Sequence, residues 1–357
     1  MTVSYNDNRL VYEGRIDFCN EKGPCFVYPC SNVRLRFKGT SVKVRIINHH
    51  ACYNNYIGVM VDGIVKKICI FNEDSSLETA HSTAGEYDIY SVCEGLENTE
   101  HQLMLYKAMD NAHTFNFGGF VLNDGAEVYE AEPLPEKKLE FYGDSVTAGE
   151  VSEATDYCGL ADPPHKGEYS NSYWSYAWYT ARKMNAQIHD IAQGGIALLD
   201  DTGWFDGPNF KGIFNMYDRI QFHLQLGETK RFDFNSYMPD AVIIAIGQND
   251  ANPEDFMAND YYGEKASFWR ANYKYFVELI RRRRPEAHIV LTTTILNHNE
   301  AWDKAIDEVC NDMRKKDDKV HHFLYSNNGC GTHGHIRKPE AEKMAEELSA
   351  YLRSIGI

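Results

Sequence analysis

The chain has 357 residues, more than one hydrophobic core usually organises, so two domains are the starting expectation. Its 43% hydrophobic and 25% charged residues are those of an ordinary globular protein. A formal net charge of −16 sets the surface against phosphate backbones and anionic lipid, which argues against nucleic-acid and membrane partners. No stretch approaches the roughly 20 apolar residues of a membrane span. The start, MTVSYNDNRLVYEGR, lacks the basic then apolar pattern of a secretory signal, and nine cysteines lie scattered without CxxC spacing. A reduced, cytoplasmic protein is expected, with no disulfide framework and no zinc ribbon.

Up to about residue 130 the chain alternates short strand-like runs with turns. Val33 to Phe37, Ser41 to Ile47, Tyr56 to Val61, Val65 to Phe71 and His101 to Tyr106 are rich in Val, Ile, Tyr and Phe. Lys38-Gly39-Thr40 and Asp62-Gly63 are hairpin signals. No long amphipathic helix interrupts them, so residues 1–132 read as an all-β sandwich. The linker AEPLPEKK, with Pro133 and Pro135 among charges, opens the second domain, 133–357.

Five apolar runs then alternate with helical patterns: 139 to 143, 187 to 194, 241 to 247, 288 to 296 and 321 to 326. The helices are expected near 171 to 184, 267 to 283, 301 to 315 and 339 to 354. Such alternation implies a parallel sheet covered on both faces, with reactive groups at the carboxyl ends of its strands.

At the first of these ends stands Gly143-Asp144-Ser145-Val146-Thr147-Ala148-Gly149. A serine at a turn entering a helix is placed for nucleophilic attack, with backbone N–H groups near a developing oxyanion. A plain helix cap by Asp144-Ser145 is the alternative. Ala192-Gln193-Gly194-Gly195-Ile196 and Gly247-Gln248-Asn249-Asp250 follow two further strands, and Gly331-Thr332-His333-Gly334-His335 precedes the last helix.

These four segments resemble the blocks of the GDSL or SGNH hydrolases, a family named for Ser, Gly, Asn and His. The resemblance implies Ser145 as nucleophile and an oxyanion hole from the Ser145 N–H, the N–H of Gly194 or Gly195, and the Asn249 amide. His335 falls at the base position when counted back from Glu342-Lys343-Met344-Ala345, whereas His333 needs a two-residue shift. The family's acid three residues before the histidine is missing, since Thr332 precedes His335 and Cys330 precedes His333. A Ser145–His335 dyad follows, with another acceptor orienting the imidazole.

The strand-rich first domain, with GRIDF, RFKGTSVKVRI, VDGIVKK, HQLMLYKAMD and FNFGGFVLNDGAEV, extends the likeness. Together with the serine block it is similar to the family 2 carbohydrate esterases. That likeness implies a jelly-roll sandwich joined to an α/β/α SGNH domain and removal of acetyl groups from xylan or sugars. It also implies an aromatic residue stacked on the sugar, for which Trp302 is the candidate, core packing being the alternative. No metal or cofactor is expected, an acetylated carbohydrate is the partner, and the sequence leaves room for a homo-oligomer. The histidine pairs His49-His50 and His321-His322 lack further ligands of fitting spacing, and Arg281 to Arg284 read as a helix end.

Overall fold

The computed structural model describes residues 1–49, 53–71, 86–223 and 226–357. His50, the second member of the first histidine pair, lies outside them.

The first part of the chain forms two antiparallel sheets. One runs Ile16–Asp17, Cys25–Phe26, Thr114–Leu122, Val42–His49, Asp88–Cys93, with Thr2–Val3 also beside Thr114–Leu122. The other runs Glu127–Tyr129, Asn32–Gly39, Thr99–Lys107, Asn55–Val61, Ile64–Phe71, with Val11–Glu13 also beside Asn32–Gly39. Alternation decides which faces meet: Val33, Leu35 and Phe37 are buried while Arg34, Arg36 and Lys38 between them are not. Val42, Val44 and Ile46 oppose them in the same core with Ile57, Val59, Leu103, Leu105, Phe115 and Phe117.

The second part holds a five-stranded parallel sheet of Lys137–Gly143, Ala186–Ala192, Ala241–Ala245, His288–Thr292 and Val320–His322. In order of appearance the strands lie 2-1-3-4-5. Both faces are apolar, as a covered sheet requires. Phe141, Ile243 and Val290 pack under the helices Tyr176–Lys183 and Lys338–Ser354. Tyr142, Val242, Ile244 and Leu291 pack under Glu264–Arg283 and Glu300–Arg314. The first and third strands are neighbours whose following helices cover opposite faces, so a crevice opens at their carboxyl ends.

The two parts share buried surface. Tyr106 meets Trp178 edge to face, with ring centroids 5.2 Å apart, and its hydroxyl donates to Asn171 Oδ1 at 3.0 Å. Arg15 reaches Glu140 on the first parallel strand at 3.1 Å, and Arg284 grips the same carboxylate at 2.7 Å, all three side chains fully buried. Arg284 caps the helix Glu264–Arg283 at its carboxyl end, as read, but turns inward, where it neutralises a carboxylate inside the molecule.

Candidate active site

Ser145 follows the first parallel strand and opens the short helix Ser145–Ala148, where it is 6% exposed. Asp144 caps that helix through the Val146 N–H at 3.0 Å, so the cap falls to Asp144 and not to Ser145. The other oxygen of Asp144 accepts from Gln248 Nε2 at 2.7 Å and from Asn249 Nδ2 at 3.1 Å. The serine turn and the Asn249 turn are thereby tied across the crevice. Burial pushes Asp144 up to about 6, against the opposing pull of these donors and of the His335 charge.

Asn249 also donates to the Ile196 carbonyl at 3.0 Å, so both hydrogens of its amide are engaged within the protein. Asp250 next to it is fully buried and accepts from the Leu198 N–H at 2.9 Å and the Leu199 N–H at 3.2 Å. It fastens the segment after Gly195 beneath the site, and burial pushes its carboxyl up to about 7.

The two glycines left open by the sequence differ. The Gly194 N–H donates to Asp110 Oδ2 at 3.0 Å, which corrects its reading as an oxyanion donor: that hydrogen is already committed. Gly195 has φ +70°, and a Cβ there would press to 2.7 Å from Trp204 Cβ, so position 195 needs glycine on both counts. Its N–H has no acceptor among the described residues.

His335 and His333 separate as clearly. His333 Nδ1 is hydrogen-bonded to Asn297 at 2.8 Å, on an exposed face. His335 Nδ1 lies 2.5 Å from Asp162 Oδ2, and the His335 backbone N–H donates to Asp162 Oδ1 at 2.9 Å. The imidazole thus has a carboxylate partner, which corrects the expected dyad. The acid comes from the loop between the serine helix and Tyr176–Lys183 rather than from the histidine's own turn. Gly334 permits this approach, since a Cβ there would lie 2.5 Å from Asp162 Oδ1 and 2.7 Å from the Leu160 carbonyl.

The fully buried Arg337 side chain completes the arrangement, 2.8 Å from Asp162 Oδ1. Burial raises the Asp162 pKa, but the bond and charge of His335, its backbone N–H and the Arg337 charge outweigh burial and hold the carboxyl well below its ordinary range. Asp162 therefore stays ionised and fixes Nδ1 as the donor, leaving Nε2 as the basic nitrogen. Nε2 lies 3.7 Å from Glu150 Oε2, and the Glu150 backbone N–H donates to the Ser145 carbonyl at 3.0 Å. Serine and histidine thus flank the same residue.

Trp302 is not at the site. It is 0% exposed, packs edge to face on Trp269 and Phe256, and donates from Nε1 to Asp255 at 3.1 Å. Its apolar helix face decided its place, which corrects the sugar-stacking reading. Trp204, beside Gly195, is 64% exposed, and its backbone N–H donates to the Gly195 carbonyl at 2.8 Å.

Residues 12–131 match the family model described as carbohydrate esterase 2 N-terminal. Over 354 residues, 97% of this chain, the sequence is 29% identical to the cellulase/esterase CelE of Acetivibrio thermocellus; the chain spans 39% of that protein's length. It is 25% identical, over 99% of this chain and 91% of the relative, to an acetylxylan esterase/glucomannan deacetylase of Cellvibrio japonicus. Among solved structures, a family two carbohydrate esterase from Clostridium thermocellum in complex with cellohexaose superposes with a TM-score of 0.78. It is 27% identical and covers 97% of this chain and 98% of its own. Through both the sandwich and the parallel sheet, the chain is thus similar to family 2 carbohydrate esterases.

Proposed function

We propose that the protein is a serine esterase that removes O-acetyl groups from carbohydrates through an acetyl-enzyme. In this reading residues 1–132 are a jelly-roll domain and 133–357 the SGNH hydrolase domain. The observation that carries it is the ionised Asp162 on His335 Nδ1, which leaves Nε2 as the basic nitrogen of the ring.

His335 Nε2 takes the proton of Ser145, and the serine oxygen attacks the acetyl carbonyl. The oxyanion is met by the N–H of Ser145, the N–H of Gly195 and the Asn249 amide, the last sharing a hydrogen now given to Ile196 or Asp144. His335 returns its proton to the leaving sugar hydroxyl, and water then releases acetate from the serine by the same route. The ionised Asp162 beside the imidazole favours a neutral sugar over an anionic one. Trp204 offers the apolar ring face on which a pyranose stacks.

Ser145→Ala should abolish acetate release from acetylated oligosaccharides with an unchanged circular dichroism spectrum, and retained turnover would refute the nucleophile. Trp204→Ala should raise KM for the sugar ester far more than for a nitrophenyl acetate, and equal effects on both would show that the ring does not carry the sugar.

A further inference from the structure

The sandwich sends one side chain to the serine's end of the parallel sheet. Asp110 stands in the turn between Thr99–Lys107 and Thr114–Leu122 and is buried. Its Oδ2 accepts from Gln193 Nε2 at 2.7 Å and from the Gly194 N–H at 3.0 Å, both in the turn that follows Ala186–Ala192. A Cβ at position 194 would lie 2.7 Å from Asp110 Oδ2, so glycine there lets the carboxyl reach the turn. Asp110 is itself fixed from the sandwich side. The fully buried Lys107 donates from Nζ to the carbonyls of Met109, at 2.7 Å, and of Asp110. Asp110 Oδ1 accepts from the Ala112 N–H at 3.1 Å.

Two consecutive glycines restrain the backbone less than any other pair, so the aim of the Gly195 N–H must come from bonds made around it. Gln193 Nε2 donates to the Gly194 carbonyl at 3.2 Å as well as to Asp110, while its Oε1 has no partner among the described residues. The amide is thus held for its donor side. The Gly194 carbonyl shares one peptide plane with the Gly195 N–H, and because that bond is trans the two point in opposite directions. Fixing the carbonyl therefore fixes the N–H. Beyond it, the Gly195 carbonyl accepts from the Trp204 N–H at 2.8 Å and the Phe205 N–H at 3.3 Å. Of the four polar groups of this glycine pair, the Gly195 N–H is the one left for a substrate oxygen.

We propose that Asp110 of the sandwich is a positioning residue for the oxyanion site: through Gln193 and the Gly194 N–H it locks the peptide that aims the Gly195 N–H at the substrate carbonyl. The lock is in place before charge develops on the oxygen, which is what makes such a donor effective. Asp110 touches neither substrate nor Ser145, and the sandwich takes part in acyl transfer through it. This inference rests on the reading of Ser145 as nucleophile and Gly195 as oxyanion donor.

The test is the steady-state kinetics of nitrophenyl acetate hydrolysis, with folding followed by circular dichroism. Asp110→Ala should lower kcat and kcat/KM together by about 10²-fold, the mark of an interaction realised only in the transition state. Asp110→Asn keeps an oxygen for the Gly194 N–H and should recover at least about tenfold of that loss. Gln193→Met, which removes the bridge to the Gly194 carbonyl, should lower kcat in the same manner. The double variant Asp110→Ala with Gln193→Met should fall little further than the worse single one, because both act on one peptide. A wild-type kcat in Asp110→Ala, a raised KM at unchanged kcat, an Asp110→Asn no better than Asp110→Ala, or losses that multiply in the double variant would overturn the proposal. If Asp110→Ala does not fold, Gln193→Met decides by the same criterion of kcat against KM. Activity surviving in Ser145→Ala would instead remove the underlying reading, so the two failures are distinguishable.

Discussion

The imidazole of His335 is oriented by a side chain 173 positions earlier in the chain. Counting back from the histidine finds only Thr332, and nothing about Asp162 in the loop GLADPPHKG marks it as a partner. The available hint is Gly334, because a glycine directly before the base is what lets another backbone close to within contact. Asp162→Asn should lower kcat by up to about 10⁴-fold with little change in KM, since the amide permits the wrong tautomer of the ring. Steady-state rates on an acetyl ester check this, and a wild-type kcat would mean that the backbone alone orients the base. Ser145, Asn249 and His335 could be singled out in the sequence because each sits at a fixed offset from a strand or helix. Trp302 was misread because an indole on an apolar helix face looks the same in sequence whether it meets a sugar or Trp269. Choosing between Gly194 and Gly195 needed the position of Asp110, which no local pattern carries.

At the level of elements, the parallel strands were read with small differences in their ends because they are short apolar runs buried on both faces. The sandwich was harder. Thr114–Leu122 occupies the interior of its sheet, yet its residues are nearly all buried and Gly118-Gly119 interrupts them at a shift of register, so no alternation announces a strand. Val11–Glu13, Ile16–Asp17 and Cys25–Phe26 are too short to show a period at all. The turns at the strand ends carry their own pH dependence. Asp250 has a folded pKa raised to about 7 from 3.8, chiefly by burial, so the stability it contributes is complete below pH 4 and lost as pH rises through about 7. Asp144 acts in the same sense through about 6. Urea unfolding should therefore show these two groups weakening the fold between about pH 4 and 7, and Asp250→Asn should flatten that slope. An identical slope in the variant would place the pH dependence elsewhere.

In the molecule as a whole, one fully buried carboxylate connects the layers. Glu140, on the first parallel strand, receives Arg284 from the end of a helix and Arg15 from the sandwich. Arg15 also donates to the Tyr142 hydroxyl at 2.9 Å and to the Tyr217 carbonyl at 2.6 Å, and it lies over the Phe232 ring at 4.2 Å. These contacts spread the second positive charge of the triad over neighbouring dipoles and a π face. Removing the carboxylate leaves two guanidinium groups without a counter-charge in a dry interior, which costs about 3–5 kcal/mol, whereas an exposed pair contributes about 0–1 kcal/mol. Glu140→Gln should accordingly lower the urea midpoint far more than Glu100→Gln, which breaks the exposed pair with Arg36. The loss at Glu140 should also loosen the sandwich from the sheet, making the linker of residues 131–138 more susceptible to limited proteolysis. Equal effects of the two substitutions would mean that the buried triad adds nothing to the union of the two halves. A large loss of stability without faster cleavage would confine its role to the parallel sheet and leave the hydrophobic contact of Tyr106 with Trp178 as the joint.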